Sequence, residues 1–350
     1  MFRRSKSIVG LDLGSSVVKA IELSLEGPEP VITGFHRVEI GQGSNLDEAV
    51  DTLMREGKFK CKRVVTSVSG QSVVVRYVPM MKMSDADLKQ AIRFEADKYL
   101  PFDLDEVQID CQALSRVSEA SMAEGDAGDG EQMTVLLAAC KTGAIERNVS
   151  LCTSHGLSPV AIDVDLFALA NAWELCGLPD VGDEEDEQAL ALVDVGAERT
   201  SINVLCGGET CFSREINIGG ADMTQAIARR MGVEIYEAEA IKRACEGNEN
   251  DVNGAIAPVL EDLANEISLS LDYVEHHEGV LVNETLLSGG GVLAPGAARY
   301  IEQATGRTAR TWNPLEGLRV DVNNVDVEEL EAWASTLVVA LGLASRLRAA

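Results

Sequence analysis

One motif occurs twice in this chain and constrains its fold more than any other feature. In the first copy, at residues 10–16, an apolar strand carries Asp12 and ends in a tight Gly-Ser-Ser turn. The second copy, at residues 192–204, has the same order: an apolar strand, Asp194, one apolar residue, a glycine, a short polar turn and a new strand. A later apolar strand ends in a glycine run at residues 289–291. Two copies separated by about one domain length predict two similar halves that face each other across a cleft.

Both copies are typical of a β-hairpin, and an ordinary hairpin is the alternative interpretation of either copy alone. Glycines and small hydroxyl residues in the turns leave backbone N–H groups uncovered, and such groups bind phosphate oxygens. Two such hairpins together with a glycine run indicate a nucleotide site. We predict that the residues of this site that contact the cofactor include Gly14, Ser15, Ser16, Gly196, Ala197, Glu198, Thr200, Gly289, Gly290 and Gly291.

The aspartate of each copy lies close to the end of its strand, beside the turn. If the halves pack as a pseudo-symmetric pair, the carboxylates of Asp12 and Asp194 approach one point. Two converging carboxylates suit a Mg²⁺ ion that keeps most of its waters and bridges nucleotide phosphates. The alternative is that each aspartate caps its own turn. We predict that both are magnesium ligands.

Four further polar residues are candidates for the same site, and each has a structural alternative. Lys19 lies inside an apolar strand, where it either reaches a phosphate or marks a solvent-facing strand surface. Asp165 begins a predicted helix, either as its N-cap or as the group that orients an attacking water. Glu239 and Lys242 are close together on a predicted helix, where they either form a surface ion pair or contact the nucleoside.

The net charge of the chain indicates which classes of molecule it can bind. Its net charge of −27 argues against nucleic acid and against direct docking on anionic lipid. A basic peptide would suit this charge. The basic segment at residues 1–6 is not followed by a long apolar stretch, so we expect no signal peptide, no membrane span and a cytoplasmic protein.

Cysteine and histidine usage argues against a zinc site. The eight cysteines are scattered without a Cys-x-x-Cys pair, and most lie in apolar runs. Only four histidines are present. This pattern predicts free, buried thiols in a reducing compartment.

The 350 residues, of which 46% are hydrophobic, are enough for two domains or one bilobed domain. The order of predicted elements indicates a mixed α/β chain with an insertion. A first lobe at residues 1–83 is expected to continue at 157–180 and in a C-terminal helix at 327–350. A small subdomain at 84–156 interrupts it, and a second lobe follows at 189–326.

The predicted strands are 7–13, 17–24, 31–40, 62–69, 72–79, 106–116, 133–141, 158–164, 189–195, 200–206, 209–218 and 284–288. The predicted helices are 46–56, 84–100, 142–155, 165–176, 221–231, 236–245, 253–277 and 327–347.

Two acidic segments separate predicted elements. Residues 119–132 are rich in Gly, Asp and Glu and are expected to be a loop tip. Residues 179–188 contain a run of acids and are expected to link the two halves.

The chain resembles the actin/Hsp70/sugar-kinase superfamily and, within it, the PilM family of type IV pilus assembly proteins, a relative of the division protein FtsA. The segment at 94–102 is the feature that picks out PilM-like proteins within the superfamily. The resemblance implies an actin-like ATPase fold with two pseudo-symmetric lobes and an FtsA-type inserted subdomain. It also implies ATP and Mg²⁺ between the lobes, with at most slow hydrolysis. The resemblance spans nearly the whole chain and rests on residues 10–23, 94–102, 163–169, 192–204, 212–216, 238–242 and 287–291.

The resemblance further implies a partner, the cytoplasmic N-terminal tail of a PilN-like bitopic membrane protein, which would recruit the protein to the inner membrane. The tail would lie in a groove between the inserted subdomain and the first lobe. Large apolar side chains are scarce in this chain, and aromatic residues make up only 4% of it, so several of them within nine residues need an explanation. The candidates for lining this groove are therefore Phe94, Tyr99, Leu100 and Phe102. The alternative is that they pack onto the subdomain's own strands. Other pilus platform proteins and self-association are further expected contacts.

Two departures from the family pattern affect these expectations. Asp165 stands where relatives often carry Glu, which affects the water-orienting role. The chain ends soon after Leu347 without the amphipathic membrane-binding helix of FtsA, so we expect no direct membrane insertion.

Several functions fit these residues. The favoured one is a nucleotide-binding assembly protein of the type IV pilus platform, in which the nucleotide sets the angle between the lobes. The alternatives are the corresponding component of a type II secretion platform, a small-molecule kinase of the same fold and a self-polymerising filament protein. A kinase needs a carboxylate base at an acceptor hydroxyl, and the sequence offers no separate acceptor-site motif.

Overall fold

Two β-sheets of matching topology form the framework that positions the predicted site. They belong to a computed structural model that describes residues 7–346 except residues 28, 42, 115–131, 177–187, 246 and 248. The acidic segments at 119–132 and 179–188 lie outside the described residues, apart from the last residue of each.

The described strands are β1 Ser7–Leu13, β2 Val17–Ser24, β3 Val31–Glu39, β4 Arg63–Val68, β5 Val73–Met81, β6 Val107–Ala113, β7 Gln132–Lys141, β8 Ser158–Val164, β9 Gln188–Val195, β10 Thr200–Cys206, β11 Glu209–Ile216, β12 Leu281–Ser288, β13 Thr308–Thr311 and β14 Arg319–Val320. The described helices are α1 Leu46–Glu56, α2 Asp85–Glu95, α3 Thr142–Ser154, α4 Asp165–Cys176, α5 Gly220–Met231, α6 Ile235–Ala244, α7 Glu249–Glu278, α8 Ala297–Thr305, α9 Val327–Ala332 and α10 Val338–Ser345. None of these described helices has both the length and the apolarity needed to cross a membrane.

The two sheets repeat one arrangement of strands. The first has the order β14-β3-β2-β1-β4-β8 and the second the order β11-β10-β9-β12-β13. In each, three antiparallel strands are extended by two parallel ones, which are β4 and β8 in the first sheet and β12 and β13 in the second. The two copies of the repeated motif are the β1–β2 and β9–β10 hairpins, which occupy equivalent places. The prediction of two pseudo-symmetric α/β halves is confirmed.

A third sheet, with the order β5-β7-β6, forms the inserted subdomain together with α2. Its core joins Val135 and Leu137 of β7 to Leu88 and Ile92 of α2. Strand β5 pairs with β7, although the expected boundary at residue 84 leaves it in the first lobe. Strand β14 pairs with β3 at the edge of the first sheet, although it falls in the range expected for the second lobe.

Helix α10 is buried along its whole length and lies between β1 and α4. Two glycines permit this packing. A Cβ at Gly10 of β1 would overlap the carbonyl oxygen of Ala340, and a Cβ at Gly342 would overlap the carbonyl oxygen of Ala168 in α4. The missing side chains therefore let the helix backbone approach both neighbours closely.

The prediction of one continuous C-terminal helix over 327–347 is wrong. Helix α9 ends at Ala332, and a 3₁₀ turn at Ala334–Thr336 separates it from α10. The hydroxyl of Thr336 donates to the carbonyl oxygen of Trp333 at 2.8 Å. Such local side-chain bonds compete with helix continuation. The break leaves backbone carbonyls at 335 and 336 available to other parts of the chain.

The prediction that all cysteines are free thiols is also wrong. Cys206 and Cys211 form a disulfide across the turn between β10 and β11. The strand register shifts between Val204 and Leu205, which leaves Cys211 without a paired residue on β10, and the spacing of the two cysteines is not a recognisable sequence signal. The remaining cysteines are free.

Candidate functional site

Polar side chains lie close together at one edge of the first sheet, where the carboxyl ends of three parallel strands meet. Strands β1, β4 and β8 run parallel, so Asp12, Ser67 and Asp165 come together. The carboxylate of Asp165 accepts hydrogen bonds from Ser67 and Ser69. Burial and then the charge of Asp12 raise the pKa of Asp165 to about 7, against the lowering effect of these hydroxyls. Near neutral pH, this carboxyl group can therefore hold or release a proton.

The second sheet supplies a matching carboxylate. Asp194 on β9 pairs in register with Ser288 on β12, and the Ser288 hydroxyl donates to Asp194 Oδ1 at 2.7 Å. Burial raises the pKa of Asp194, while the Lys19 ammonium and the Ser288 hydroxyl oppose that shift. The charge of Asp12 also acts on Asp194, so the two sheets bring their aspartates near each other.

Lys19 is the cation within this cluster. Its Nζ lies 2.7 Å from Asp12 Oδ2 and donates to the carbonyl oxygen of Thr336, in the C-terminal break, at 3.0 Å. Burial disfavours the ammonium form, but the charges of Asp12, Asp194 and Asp165 outweigh burial and raise the pKa of Lys19. The structure thus brings together four of the predicted site residues, drawn from both halves of the chain.

Ligands for a divalent cation are present, but they do not form a closed cage. Among the described residues, no group of three or more His, Cys, Asp or Glu side chains is arranged to hold a metal ion. Asp12 and Asp194 offer hard carboxylate oxygens, which suit a Mg²⁺ ion that keeps most of its waters. These donors do not fit a structural zinc site.

The turn of the first hairpin has an open tip. Ser15 and Ser16 are exposed there. Gly14 is required before them, because a Cβ at this position would lie 2.5 Å from the carbonyl oxygen of Val17. Both serines can therefore present polar groups to a ligand.

The turn of the second hairpin is closed by its own bonds. The amide of Gly196 donates to the carbonyl of Arg199 at 2.8 Å. Thr200 is fully buried, and its hydroxyl donates to the carbonyl of Ile218 at 2.7 Å. The amide of Gly196 and the hydroxyl of Thr200 are therefore already satisfied within the protein. Ala197 and Glu198, which are also predicted to contact the cofactor, form the tip of the turn.

The glycine run after β12 packs against the end of β9. The amide of Gly289 donates to the carbonyl of Ser335 at 2.8 Å, and its φ of +89° favours glycine. A Cβ at Gly291 would overlap the side chain of Val195. Gly290, by contrast, faces open space. The run thus joins the second sheet to the C-terminal break and leaves its middle residue open.

Lys242 is buried beside the second hairpin and forms an ion pair with Glu239, which is partly exposed. Lys242 Nζ donates to the carbonyl of Gly220 at 2.9 Å and to the hydroxyl of Thr224 at 2.7 Å. It also lies 2.7 Å from Glu239 Oε2. Burial acts to raise the pKa of Glu239, but hydrogen bonds from Lys242 and Thr224 outweigh burial and lower it.

An ion pair that sequence reasoning missed joins the two lobes. Arg243 of α6 lies 2.7 Å from Glu39 at the end of β3 and 2.8 Å from Glu239. Arg37 also pairs with Glu39, and its guanidinium lies 3.7 Å from the ring centroid of Trp333. Glu39 and Arg243 are 204 residues apart, so no local pattern connects them. The pair ties α6 to the first lobe next to the Glu239–Lys242 ion pair.

Comparison with known proteins assigns the family. Residues 10–348 match the sequence model of the family described as type IV pilus assembly protein PilM. The chain belongs to the PilM family. The match covers nearly the whole chain and confirms the resemblance drawn from the motifs.

Solved structures of other proteins are similar to this chain. A solved PilM-PilN type IV pilus biogenesis complex contains a chain with a TM-score of 0.83 and 29% identity, over 98% of this chain and 99% of that chain. Ethanolamine utilization protein EutJ from Carboxydothermus hydrogenoformans shares the fold, with a TM-score of 0.54 and 15% identity over 97% of this chain and 89% of that chain. The chain therefore has the actin-like ATPase fold, with a three-stranded inserted subdomain.

A sequence relative covers less of the chain. Ethanolamine utilization protein EutJ of Escherichia coli (strain K12) is 28% identical over 156 residues, which is 45% of this chain and 46% of that protein. The chain thus spans about half the length of the curated relatives it matches.

The residues predicted to line a peptide groove in this PilM-family protein differ in accessibility. Phe94 is 82% exposed, whereas Leu100 is only 9% exposed and belongs to the core of the inserted subdomain. Tyr99 and Phe102 are half-buried against that core. Leu100 therefore follows the alternative interpretation of packing onto the subdomain's own strands.

A surface depression of about 340 Å³ lies where β7 of the inserted subdomain passes into α3. Phe102 lies next to one of the residues that line it, because Lys141 Nζ is 4.8 Å from the centroid of the Phe102 ring. The depression is lined by Ser72, Glu106, Lys141, Thr142, Gly143, Ala144, Glu146 and Arg147.

Proposed function

We propose that this protein binds ATP with Mg²⁺ between its two lobes and acts as a nucleotide-controlled assembly protein of the type IV pilus platform. The observation that carries the proposal is the convergence of Asp12, Asp165 and Asp194 around Lys19 at the ends of two matched sheets. Carboxylates gathered around one ammonium suit a site that receives a metal-bound polyphosphate. The similarity to a chain of a PilM-PilN type IV pilus biogenesis complex supports the pilus context.

Several of the predicted residues have a role in this proposal. Bound Mg²⁺ would neutralise charge on the phosphates, and Asp12 and Asp194 would hold it largely through its waters. Lys19 would turn from Asp12 toward a phosphate. The exposed turn at residues 15–16 would bind phosphate oxygens. The buried Lys242 network would border the nucleoside.

Hydrolysis is at most slow in this proposal. Asp165 is the group placed to orient a water and accept its proton. With its pKa raised to about 7 by burial, the carboxyl is partly protonated at neutral pH, and its oxygens are engaged by Ser67 and Ser69. The nucleotide would therefore act chiefly as a ligand that sets the angle between the lobes.

Saturating ATP with Mg²⁺ is expected to stabilise the protein by roughly 3 kcal/mol at a hundredfold excess over Kd. Asp12→Ala and Asp194→Ala should each reduce the magnesium dependence of this stabilisation, because each removes a carboxylate that faces the cation. Thermal melts with ATP, with and without Mg²⁺, measure both effects. Asp105→Ala, at an exposed position in the inserted subdomain, is the control and should match wild type. Wild-type protein that shows no shift in Tm with ATP would overturn the proposal.

We further propose that the protein is cytoplasmic and is recruited to the inner membrane by the N-terminal tail of a PilN-like protein. The depression beside Phe102 is the proposed groove, since it lies at the junction of the inserted subdomain and the first lobe. The net charge of −27 favours a tail that carries Lys or Arg, chiefly by raising the association rate.

Phe102→Ala is expected to weaken binding of a synthetic peptide of this tail by roughly 1–3 kcal/mol, as loss of an aromatic anchor does. Affinity for ATP should stay nearly unchanged, and peptide binding should weaken as salt rises. Fluorescence anisotropy titrations measure both. Leu281→Ala, which removes an exposed apolar side chain from the second lobe, serves as the control. If Phe102→Ala binds the peptide as tightly as wild type, this groove is not the site.

A further inference from the structure

Arg199 lies at the rim of the candidate site and has no role in the function proposed above. It is the last residue of the second hairpin turn, and its carbonyl accepts the amide of Gly196 at 2.8 Å, which fixes its backbone. Its guanidinium lies against the backbone of Gly70, where the Cζ would be 2.8 Å from an added Cβ. Gly70 also has a φ of +75°, so glycine is favoured there for two reasons.

The guanidinium of Arg199 is incompletely bonded. Its Nε lies 3.7 Å from Glu215 Oε1, which is longer than a hydrogen bond, and its side chain is 38% exposed. Within the part of the chain that the structure describes, the guanidinium donates no hydrogen bond. The other oxygen of Glu215 accepts the amide of Gly70 at 3.1 Å. An arginine with unused donors therefore stands beside a carboxylate that is already bonded elsewhere.

The position of Arg199 connects it to the carboxylate cluster. Gly70 directly follows Ser69, whose hydroxyl bonds to Asp165. The charge of Asp165 acts in turn on Lys19. The guanidinium thus lies beside Gly70, the residue that follows a hydrogen-bond partner of Asp165.

We propose that Arg199 recognises the terminal phosphate of a bound nucleoside triphosphate, giving up its loose ion pair with Glu215 to do so. The inference rests on the proposed nucleotide binding and adds the ability to tell a triphosphate from a diphosphate. A planar guanidinium matches phosphate oxygens in a bidentate geometry that an ammonium lacks. Glu215 also holds Gly70, which leads into β5, so the same carboxylate connects this contact to the inserted subdomain.

The test is a calorimetric titration of the full chain with ATP and with ADP, each with Mg²⁺. Arg199→Ala is expected to weaken ATP binding about tenfold or more, because a charge-assisted hydrogen bond is lost, while ADP binding changes by less than about twofold. The ATP affinity of Arg199→Lys should fall between those of wild type and Arg199→Ala, since lysine keeps the charge without the bidentate geometry of the guanidinium. Arg55→Ala removes the same charge from the exposed face of α1 and should leave both affinities unchanged.

The outcomes separate the two proposals. If Arg199→Ala weakens ATP and ADP equally, or weakens neither, Arg199 does not read the terminal phosphate, although the nucleotide site stands. If wild-type protein binds neither nucleotide, the proposed function fails and the role of Arg199 fails with it. Thermal melts without nucleotide establish that each variant is folded, and Arg199→Lys carries the comparison if Arg199→Ala does not fold.

Discussion

Replacing Gly342 with alanine is expected to lower the free energy of unfolding by about 3 kcal/mol or more, as severe overpacking of a core does. Gly342 lies within α10, and an added methyl group would overlap the carbonyl oxygen of Ala168 in α4. The two helices would have to separate, yet α10 is held equally closely against Gly10 of β1. Helix propensity alone would favour alanine by about 1 kcal/mol, so the sign of the effect reports packing.

Gly143→Ala is the matched control for this prediction. Gly143 lies in the first turn of α3, where the nearest atom to an added Cβ is Arg147 Nη1 at 3.8 Å, an ordinary contact. This variant should be as stable as wild type or slightly more stable. Urea unfolding followed by circular dichroism compares all three proteins. A Gly342→Ala protein with wild-type stability would show that α10 and α4 can move apart without cost.

The fold could be predicted where local patterns are strong. The predicted bounds of β1, β8 and α4 agree with the structure because their apolar patterns and start signals are complete within each segment. Helix α8 and strands β13 and β14 were not predicted. Strand β14 has only two residues, so its conformation depends on pairing with β3 rather than on its own sequence.

The candidate site could be predicted only where it follows from the repeated motif. Asp12 and Asp194 come together because equivalent strand ends of two matched sheets meet. The repeat does not determine which turn amides stay free. The amides of Gly196 and Gly289 are used by Arg199 and Ser335, and the second of these carbonyls is available only because the C-terminal helix breaks. Such partners depend on tertiary packing, which leaves no local signal in the sequence.

Asp165→Asn is expected to stabilise the nucleotide-free protein at pH 8 by roughly 2–4 kcal/mol. In the folded protein, burial raises the pKa of Asp165 to about 7, whereas an unfolded aspartate has a pKa of about 3.9. The folded state therefore binds this proton more tightly than the unfolded state does. The resulting stability is fully present below about pH 4 and is lost as the pH rises through about 7. Asparagine keeps the shape and can accept a hydrogen bond from Ser67, but it never acquires the buried charge.

The stability advantage of Asp165→Asn over wild type should consequently shrink as the pH falls from 8 and vanish at about pH 4. Thermal melts of both proteins in chelator, at a series of pH values, measure this difference, and pH effects common to both proteins cancel. Asp105→Asn, at an exposed position outside the cleft, should follow wild type at every pH. A gain that does not vary with pH would mean that asparagine acts through packing alone. A loss of stability at pH 8 would mean that Lys19 stabilises the Asp165 carboxylate more than burial penalises it, and Asp165 could then not titrate near neutral pH.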